Sequence, residues 1–255
     1  MGKSKIILMY HGIIAEDSNL PEEREIGADL YDVRVEDFKN QMQLIRTRGL
    51  AVKKIEHADE KDIIITFDDG ELNNFQSAMP ILKEHQFPAY FFIITKRIGH
   101  PGYMSIDDIR EMSKQGMIIG SHGMSHEILT NLKDTQISEE LSASKKYLER
   151  NLGIEIHDLS IPRGFCNDNV LAIAKEAGYK NIFISSRPKD LTDEGCCSRI
   201  AVKKSWKLKR FEMALNQKIP LRENFIEKTK NVIQMIFHEN GYNWLRSSFL
   251  KVFKG

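Results

Sequence analysis

The stretch Ile63-Ile64-Ile65-Thr66-Phe67-Asp68-Asp69-Gly70 passes directly from a short apolar run to two carboxylates and a glycine. A continuous apolar run of this length is typical of a strand that is buried on both faces of a parallel sheet. Similar runs recur along the chain at Ile6–Tyr10, Ala89–Thr95, Met117–Ile119, Leu159–Ile161 and Ile182–Ile184. The sequence therefore predicts a buried strand at each of these positions.

Helical patterns separate these runs. Asp37–Arg48 and Asp134–Leu152 each carry one apolar stripe, Ser105 precedes acidic residues as a helix N-cap does, and Asn169–Ala177 is followed by Gly178. Alternation of strands and helices predicts an α/β fold with a parallel sheet or barrel. In such folds, functional sites collect at the carboxyl ends of the strands.

Composition and charge exclude several classes of protein. The chain has 255 residues, of which 41% are hydrophobic and 29% charged, as in ordinary globular domains. Its 37 basic and 36 acidic residues nearly cancel, which argues against a nucleic-acid-binding protein. The charge is unevenly distributed, because residues 199–255 contain 13 Lys and Arg but 4 Asp and Glu.

Cysteine usage and the start of the sequence predict a cytoplasmic protein. Cys166, Cys196 and Cys197 are an odd number and include an adjacent pair, so we expect reduced thiols rather than a disulfide framework. The apolar run Ile6–Tyr10 is too short for the hydrophobic region of a signal peptide. We find no apolar stretch long enough to span a membrane.

Polar residues with catalytic potential follow four of the predicted strands. They are His11, the pair Asp68 and Asp69, the pair His122 and His126, and Arg163. Taken singly, an Asp-Asp-Gly sequence is usually a turn and a lone histidine is usually structural. Their common position at strand ends favours one site instead. Two histidines four residues apart plus an aspartate form a ligand set that zinc accepts, and such sites activate water for hydrolysis.

These motifs resemble those of the polysaccharide deacetylases, also called the NodB-homology or carbohydrate esterase 4 family. Thr66-Phe67-Asp68-Asp69-Gly70 matches the family's TFDDG signature, and Ser121-His122-Gly123-Met124-Ser125-His126 resembles its His-x-x-x-His motif. The intervening segments Ala78–Lys83 and Pro88–Ile93 also look like those of the family. The similarity extends from about Ile6 to about Phe211.

The resemblance implies a distorted (β/α) barrel and metal-dependent removal of acyl groups from N-acylated sugars. Asp69, His122 and His126 would bind a divalent metal ion, most simply Zn²⁺, with Co²⁺ or Ni²⁺ as alternatives. Asp68 would be the general base, and the backbone N–H of Arg163 would bind the oxyanion.

The sequence departs from the family pattern in its third motif, usually Arg-x-Pro-Tyr-Gly, whose arginine orients the base. The corresponding segment is Ser160-Ile161-Pro162-Arg163-Gly164, with serine in place of that arginine. The partner of Asp68 is therefore open, and either Arg163 or Arg199 could supply the charge. We expect Pro162, Gly164, Arg199 and Trp206 to contact substrate, although Trp206 could instead anchor the tail.

The family's late Leu-x-Ile-His motif, which often carries the catalytic acid, is also missing. Ile7-Leu8-Met9-Tyr10-His11 has the same character and lies at the start of the chain. Because the first and last strands of a closed barrel are neighbours, we predict that His11 is the general acid.

Two further expectations concern organisation and substrate. Residues 1–220 are predicted to form the catalytic domain, and 221–255 a basic amphipathic helical extension that packs on the barrel or contacts an anionic membrane or a lipid-linked substrate. The expected substrate is an N-acetylated sugar in a glycan or in an intermediate of surface polysaccharide synthesis. The alternatives are an inactive carbohydrate-binding relative, and a deacylase of a small amide or a formylated sugar.

Overall fold

The computed structural model describes residues 5–185 and 196–217, apart from Asn19, Glu23 and Ile26. The predicted extension 221–255 therefore lies outside the described residues, as does the end of the predicted catalytic domain. Within the described part of the chain, no helix is both long and apolar enough to cross a membrane. Cys166, Cys196 and Cys197 form no disulfide with one another, which agrees with the predicted reduced thiols.

In the part of the chain that the structure describes, eight parallel strands form the main sheet, and two short strands pair beside it. The strands are β1 (Ile6–Tyr10), β2 (Ile13–Ile14), β3 (Val33–Arg34), β4 (Ile63–Phe67), β5 (Tyr90–Ile93), β6 (Ile118–Ser121), β7 (Asp158–Ser160), β8 (Asn181–Ile184), β9 (Cys196–Ser198) and β10 (Ile200–Ala201). The order across the main sheet is β10-β1-β4-β5-β6-β7-β8-β9, while β2 pairs with β3. The six strands predicted from apolar runs are all present, with ends shifted by one or two residues at most sites.

The sheet closes on itself at Arg199. Strand β9 pairs with β8 at one edge, and β10 pairs with β1 at the other, although the two strands are separated by this single residue. One extended segment thus changes its pairing partner at Arg199 and brings the two edges together. The result is a nearly closed parallel barrel with surrounding helices, which confirms the predicted fold class.

Among the described residues, five α-helices lie between strands and a sixth follows the last strand. They are α1 (Val35–Thr47), α2 (Met79–His85), α3 (Ile106–Lys114), α4 (Asp134–Leu152), α5 (Asp168–Glu176) and α6 (Leu208–Leu215). Ser105 caps α3 in a capping box with Asp108, and Gly153 ends α4 in the left-handed conformation, as the sequence predicts. Each of these helices contributes buried apolar side chains to the core.

Buried side chains form two clusters on opposite faces of the strands. The larger lies between strands and helices and includes Leu8, Ile65 and Phe91. The smaller contains the alternate strand residues Ile7, Ile64, Phe92 and Phe183, which fill the barrel interior. The strands are therefore covered on both faces, which explains their continuous apolar sequences.

A buried carboxylate lies at the amino end of the barrel, opposite the carboxyl ends of the strands. Asp158 begins β7, is 5% exposed, and accepts a hydrogen bond from Asn181 Nδ2 at 2.8 Å. Burial raises the pKa of Asp158 to about 6, and the hydrogen bond from Asn181 offsets only part of this effect.

This pKa predicts a pH-dependent loss of stability that Asp158→Asn removes. Between pH 4 and 6 the unfolded chain ionises Asp158 while the folded protein retains its proton, so stability falls as pH rises. The loss is about 3 kcal/mol once the pH is above the folded pKa. Urea unfolding at pH 4.5 and 7.5 should show that Asp158→Asn gains stability relative to wild type at the higher pH. Asp17→Asn, at an exposed aspartate, should show no such gain, and an equal shift in both variants would contradict the prediction.

Candidate active site

The carboxyl ends of the strands bring the predicted site residues to one end of the barrel. His11 follows β1, Asp68 and Asp69 follow β4, and His122 and His126 follow β6. Arg163 follows β7 and Arg199 separates β9 from β10.

The backbone at this end of the barrel adopts conformations that side chains other than glycine usually avoid. Asp69 (φ 75°), His126 (φ 68°) and Arg163 (φ 57°) all lie in the left-handed region. They are three of the five non-glycine residues with this conformation in the described part of the chain. Such conformations cost free energy and persist only where the surroundings hold them, which is common at active sites.

Asp69, His122 and His126 turn three ligand atoms towards one another. The Nε2 atoms of the two histidines are 3.2 Å apart, and Asp69 Oδ1 lies 3.5 Å from Nε2 of His122 and 3.6 Å from Nε2 of His126. A point equidistant from these atoms is about 2.0 Å from each, which is the ligand distance of zinc. The three residues could therefore hold a metal ion.

The protonation and hydrogen bonding of these side chains also fit a metal ion. Burial lowers the pKa of His122 to about 4, so its ring is neutral at pH 7. Its Nδ1 lies 2.8 Å from the carbonyl oxygen of Ser160; if this nitrogen carries the proton and donates it, the lone pair is left on Nε2. Asp69 Oδ1 is buried and accepts no hydrogen bond from any described residue, a vacancy that a cation satisfies.

Asp68 lies beside this cluster in a buried ion pair with Arg199. The two guanidinium nitrogens donate to the two carboxylate oxygens at 2.7 and 2.8 Å, and Asp68 Oδ2 is 3.8 Å from Nε2 of His122. Burial opposes ionisation of Asp68, but the charge of Arg199 outweighs it and holds the pKa of Asp68 well below its usual range. Asp68 is therefore a carboxylate at neutral pH.

The sequence leaves two arginines as candidate partners of Asp68. In the structure Arg199 pairs with Asp68, whereas Arg163 contacts Glu25. Ser160, at the family's usual arginine position, takes part in the same network. Its Oγ accepts from Arg199 at 2.8 Å and donates to Asp68 at 3.2 Å. In this pairing Arg199 is 6% exposed, and its predicted contact with substrate stays a prediction.

His11 and the segment after β7 lie at the same end of the barrel. The His11 ring packs against the Tyr31 ring at a tilt of 35° with centroids 5.0 Å apart, and its Nδ1 has no hydrogen-bond partner among the described residues. A positive charge on His11 would add to the effect of Arg199 in lowering the pKa of Asp68. Pro162 is buried, and Gly164 is required because a Cβ there would approach Ser185 Oγ to 1.8 Å.

Trp206 occupies a different environment from the other predicted substrate contacts. It is 6% exposed within the core, and the Arg210 guanidinium lies 4.2 Å from its ring centroid. The ring is therefore packed in the protein core, and both the predicted substrate contact and the anchoring of the tail stay predictions.

Glu25 is a site residue that the sequence patterns miss. Its Oε1 contacts Nδ1 of His126 and lies 3.2 Å from Nη2 of Arg163. Burial opposes its ionisation, but hydrogen bonding to His126 outweighs it and lowers the pKa of Glu25 to about 2. It lines a cavity of about 320 Å³ together with Arg24, Arg97, Ser125, His126, Glu127 and Arg163. Glu25 lies in an irregular polar stretch, and no periodicity or motif marks it.

Comparison with protein families gives one match. Residues 56–182 match the sequence profile of the polysaccharide deacetylases. The chain is 32% identical over 174 residues to a Bacillus subtilis protein provisionally named polysaccharide deacetylase YxkH, covering 68% of this chain and 62% of that protein. It is 28% identical over 174 residues to the poly-beta-1,6-N-acetyl-D-glucosamine N-deacetylase of Staphylococcus aureus, covering 59% and 60%. The chain thus spans about three fifths of these relatives.

Solved structures share the fold. The Streptococcus pyogenes deacetylase PplD, solved with acetate, aligns with a TM-score of 0.70 at 24% identity over 84% of this chain and 98% of that one. IcaB from Ammonifex degensii aligns with a TM-score of 0.67 at 20% identity over 85% and 97%.

The Asp68–Arg199 pair makes a prediction about stability. Arg199→Met should lower the free energy of unfolding by about 3–5 kcal/mol, because it leaves a buried carboxylate without its cation. Combining it with Asp68→Asn should cost clearly less than the sum of the two single substitutions, since the residues are in direct contact. Urea unfolding of the four proteins measures this coupling.

Arg34→Met is the matched control, because Arg34 forms an exposed pair with Asp37 that contributes little. Additive effects of Asp68→Asn and Arg199→Met, within about 0.5 kcal/mol, would show that the pair is not coupled.

Proposed function

The chain belongs to the polysaccharide deacetylase family, and from this premise we propose that it is a metal-dependent hydrolase that removes the N-acetyl group from an amino sugar. The substrate is a glycan or a glycan biosynthetic intermediate. The observation that carries the proposal is the meeting of Asp69, His122 and His126 around one point, with the ionised Asp68 beside them. This arrangement supplies a ligand set and a base for hydrolysis of an amide.

The comparisons support the choice of substrate class. The Staphylococcus aureus relative is named for N-deacetylation of a polymer of N-acetylglucosamine. The cavity beside His126 is polar and is lined by three arginines, so it offers donors to sugar hydroxyls and to acyl oxygens.

A divalent ion held by Asp69, His122 and His126 would act as a Lewis acid that polarises the acetamido carbonyl and acidifies water. Two imidazoles and one carboxylate match zinc, and we propose Zn²⁺, with Co²⁺ or Ni²⁺ as alternatives.

Asp68 is the proposed general base. Its pairing with Arg199 keeps it ionised and fixes the plane of its carboxylate, and its Oδ2 faces His122. Asp68 takes a proton from the attacking water as the oxygen–carbon bond forms.

Arg163 and His11 complete the reaction. The backbone N–H of Arg163 would donate to the oxyanion of the tetrahedral intermediate. His11, protonated, would give its proton to the departing nitrogen as the carbon–nitrogen bond breaks. The products are acetate and the free amine of the sugar.

Two substitutions should separate metal binding from turnover. Asp69→Ala should lose both, because it removes a ligand. Asp68→Asn should retain metal and lose turnover by at least about 100-fold, because it removes the base. The measurements are metal content after dialysis and acetate release from N-acetylglucosamine oligomers with added Zn²⁺ or Co²⁺.

The same assay tests the alternatives. Metal binding without acetate release from any N-acetylated sugar would favour a carbohydrate-binding protein. Release from small amides or formate from N-formyl sugars would instead change the substrate. Full turnover by Asp68→Asn would refute the assignment of the base.

His11→Ala should lower kcat about 10²- to 10⁴-fold while metal content stays unchanged, because it removes the acid and no ligand. His57→Ala is the control, at an exposed histidine on a helical turn away from these strand ends. Near-wild-type turnover by a metal-replete His11→Ala protein would rule out the acid role.

A further inference from the structure

Arg24 and Glu25 connect three loops of the candidate active site. Glu25 contacts His126 in the loop after β6 and Arg163 in the segment after β7. Arg24, its neighbour, pairs with Glu71 in the loop after β4, two residues beyond Asp69. No other pair of adjacent residues in the described part of the chain forms ion pairs with all three loops.

We propose that Glu25 is a positioning residue that holds the ring of His126 by Nδ1, so that Nε2 points to Asp69 and His122. The inference rests on the proposed metal site and deepens it. Glu25 is not part of a family motif, because it lies outside residues 56–182, which match the family profile.

The two histidine ligands need an acceptor for the nitrogen that faces away from the metal position. A neutral imidazole carries one proton, and a carboxylate or carbonyl at Nδ1 keeps that proton there and leaves the lone pair on Nε2. His122 finds this acceptor in the carbonyl of Ser160, 2.8 Å away. For His126 the atom in contact with Nδ1 is Glu25 Oε1.

His126 depends on such a contact more than His122 does. His122 directly follows β6, and its backbone N–H donates to Ile93 O at 2.8 Å. His126 lies four residues further on, in a loop, with a left-handed backbone at φ 68°. Its ring orientation is therefore set by side-chain contacts rather than by a regular element.

Arg24 fixes the position from which Glu25 acts. Its Nε donates to Glu71 Oε1 at 2.8 Å, and its Nη1 donates to Asp32 Oδ2 at 2.9 Å. Both carboxylates are buried, with Glu71 2% and Asp32 6% exposed. Nearby, Pro21 packs so closely on Gly102 that a Cβ at Gly102 would lie 2.4 Å from Pro21 N. The contacts of Arg24 and Pro21 thus hold the chain just before Glu25 in place.

The test measures metal binding without turnover. Glu25→Ala should raise the Zn²⁺ dissociation constant about 10- to 100-fold in competition with a chelating dye. The visible absorption of the Co²⁺-loaded protein should change in band position or intensity, because the orientation of one ligand is lost. Glu25→Gln, which keeps an acceptor oxygen and the side-chain shape, should fall between wild type and Glu25→Ala on both measurements.

Glu22→Ala is the matched control, since it removes an equal charge from an exposed position in the same segment. It should bind Zn²⁺ with wild-type affinity. Urea unfolding of the metal-free proteins shows whether each variant is folded before metal is added. If Glu25→Ala does not fold, the comparison of Glu25→Gln with wild type tests the proposal.

The outcomes are distinguishable. If the wild type binds Zn²⁺ and the Glu25 variants bind it within a factor of two of wild type, the positioning role is overturned and the proposed function stands. A wild type that binds no divalent metal overturns both. A weakening as large in Glu22→Ala would show a general charge effect and also overturn the positioning role.

Discussion

The buried ion pair between Asp68 and Arg199 joins the architecture of the barrel to the chemistry of its site. Arg199 is the single residue between β9 and β10, so it lies where the two edges of the sheet meet. Asp68 follows β4, which pairs with β1 on the side opposite β10. Their side chains meet with two hydrogen bonds, both almost fully buried. A correctly closed barrel is therefore the condition for an ionised and oriented Asp68, because an unpaired carboxylate at this depth would bind a proton.

The position of this arginine shows what the family's third motif requires physically. The motif usually places an arginine where this chain has Ser160. In this chain the guanidinium belongs instead to Arg199, where the two edges of the sheet meet. Ser160 fits the exchange because its small hydroxyl accepts from Arg199 and donates to Asp68. What an ionised Asp68 needs is a buried cation with paired donors, and here Arg199 supplies it from a distant part of the sequence. Loss of the motif arginine therefore does not leave Asp68 without a buried cation.

The sequence predicts those features that local patterns determine. Five-residue apolar runs identify β1 and β4 to the residue, and Ser105 and Gly153 mark helix ends, because burial on both faces and capping each leave a local signature. It misses β9 and β10, which have two or three residues and are only partly buried. The partner of Asp68 and the contact of Glu25 with His126 could not be read from spacing. Both join residues about 100 or more positions apart, and only the closed barrel brings them together.

Ion pairs lie next to the residues of the site that have a strained backbone conformation. Asp69, His126 and Arg163 have left-handed backbone conformations, which cost free energy. Asp69 lies two residues before Glu71, which pairs with Arg24, while His126 and Arg163 both contact Glu25. Arg24 ties the loop after β4 to Asp32, while Glu25 ties the loops after β6 and β7 to each other. Charged hydrogen bonds at these depths are strong enough to hold such conformations. The Oδ1 atom of Asp69 and the Nε2 atoms of His122 and His126 thus converge in a part of the structure that these ion pairs hold together.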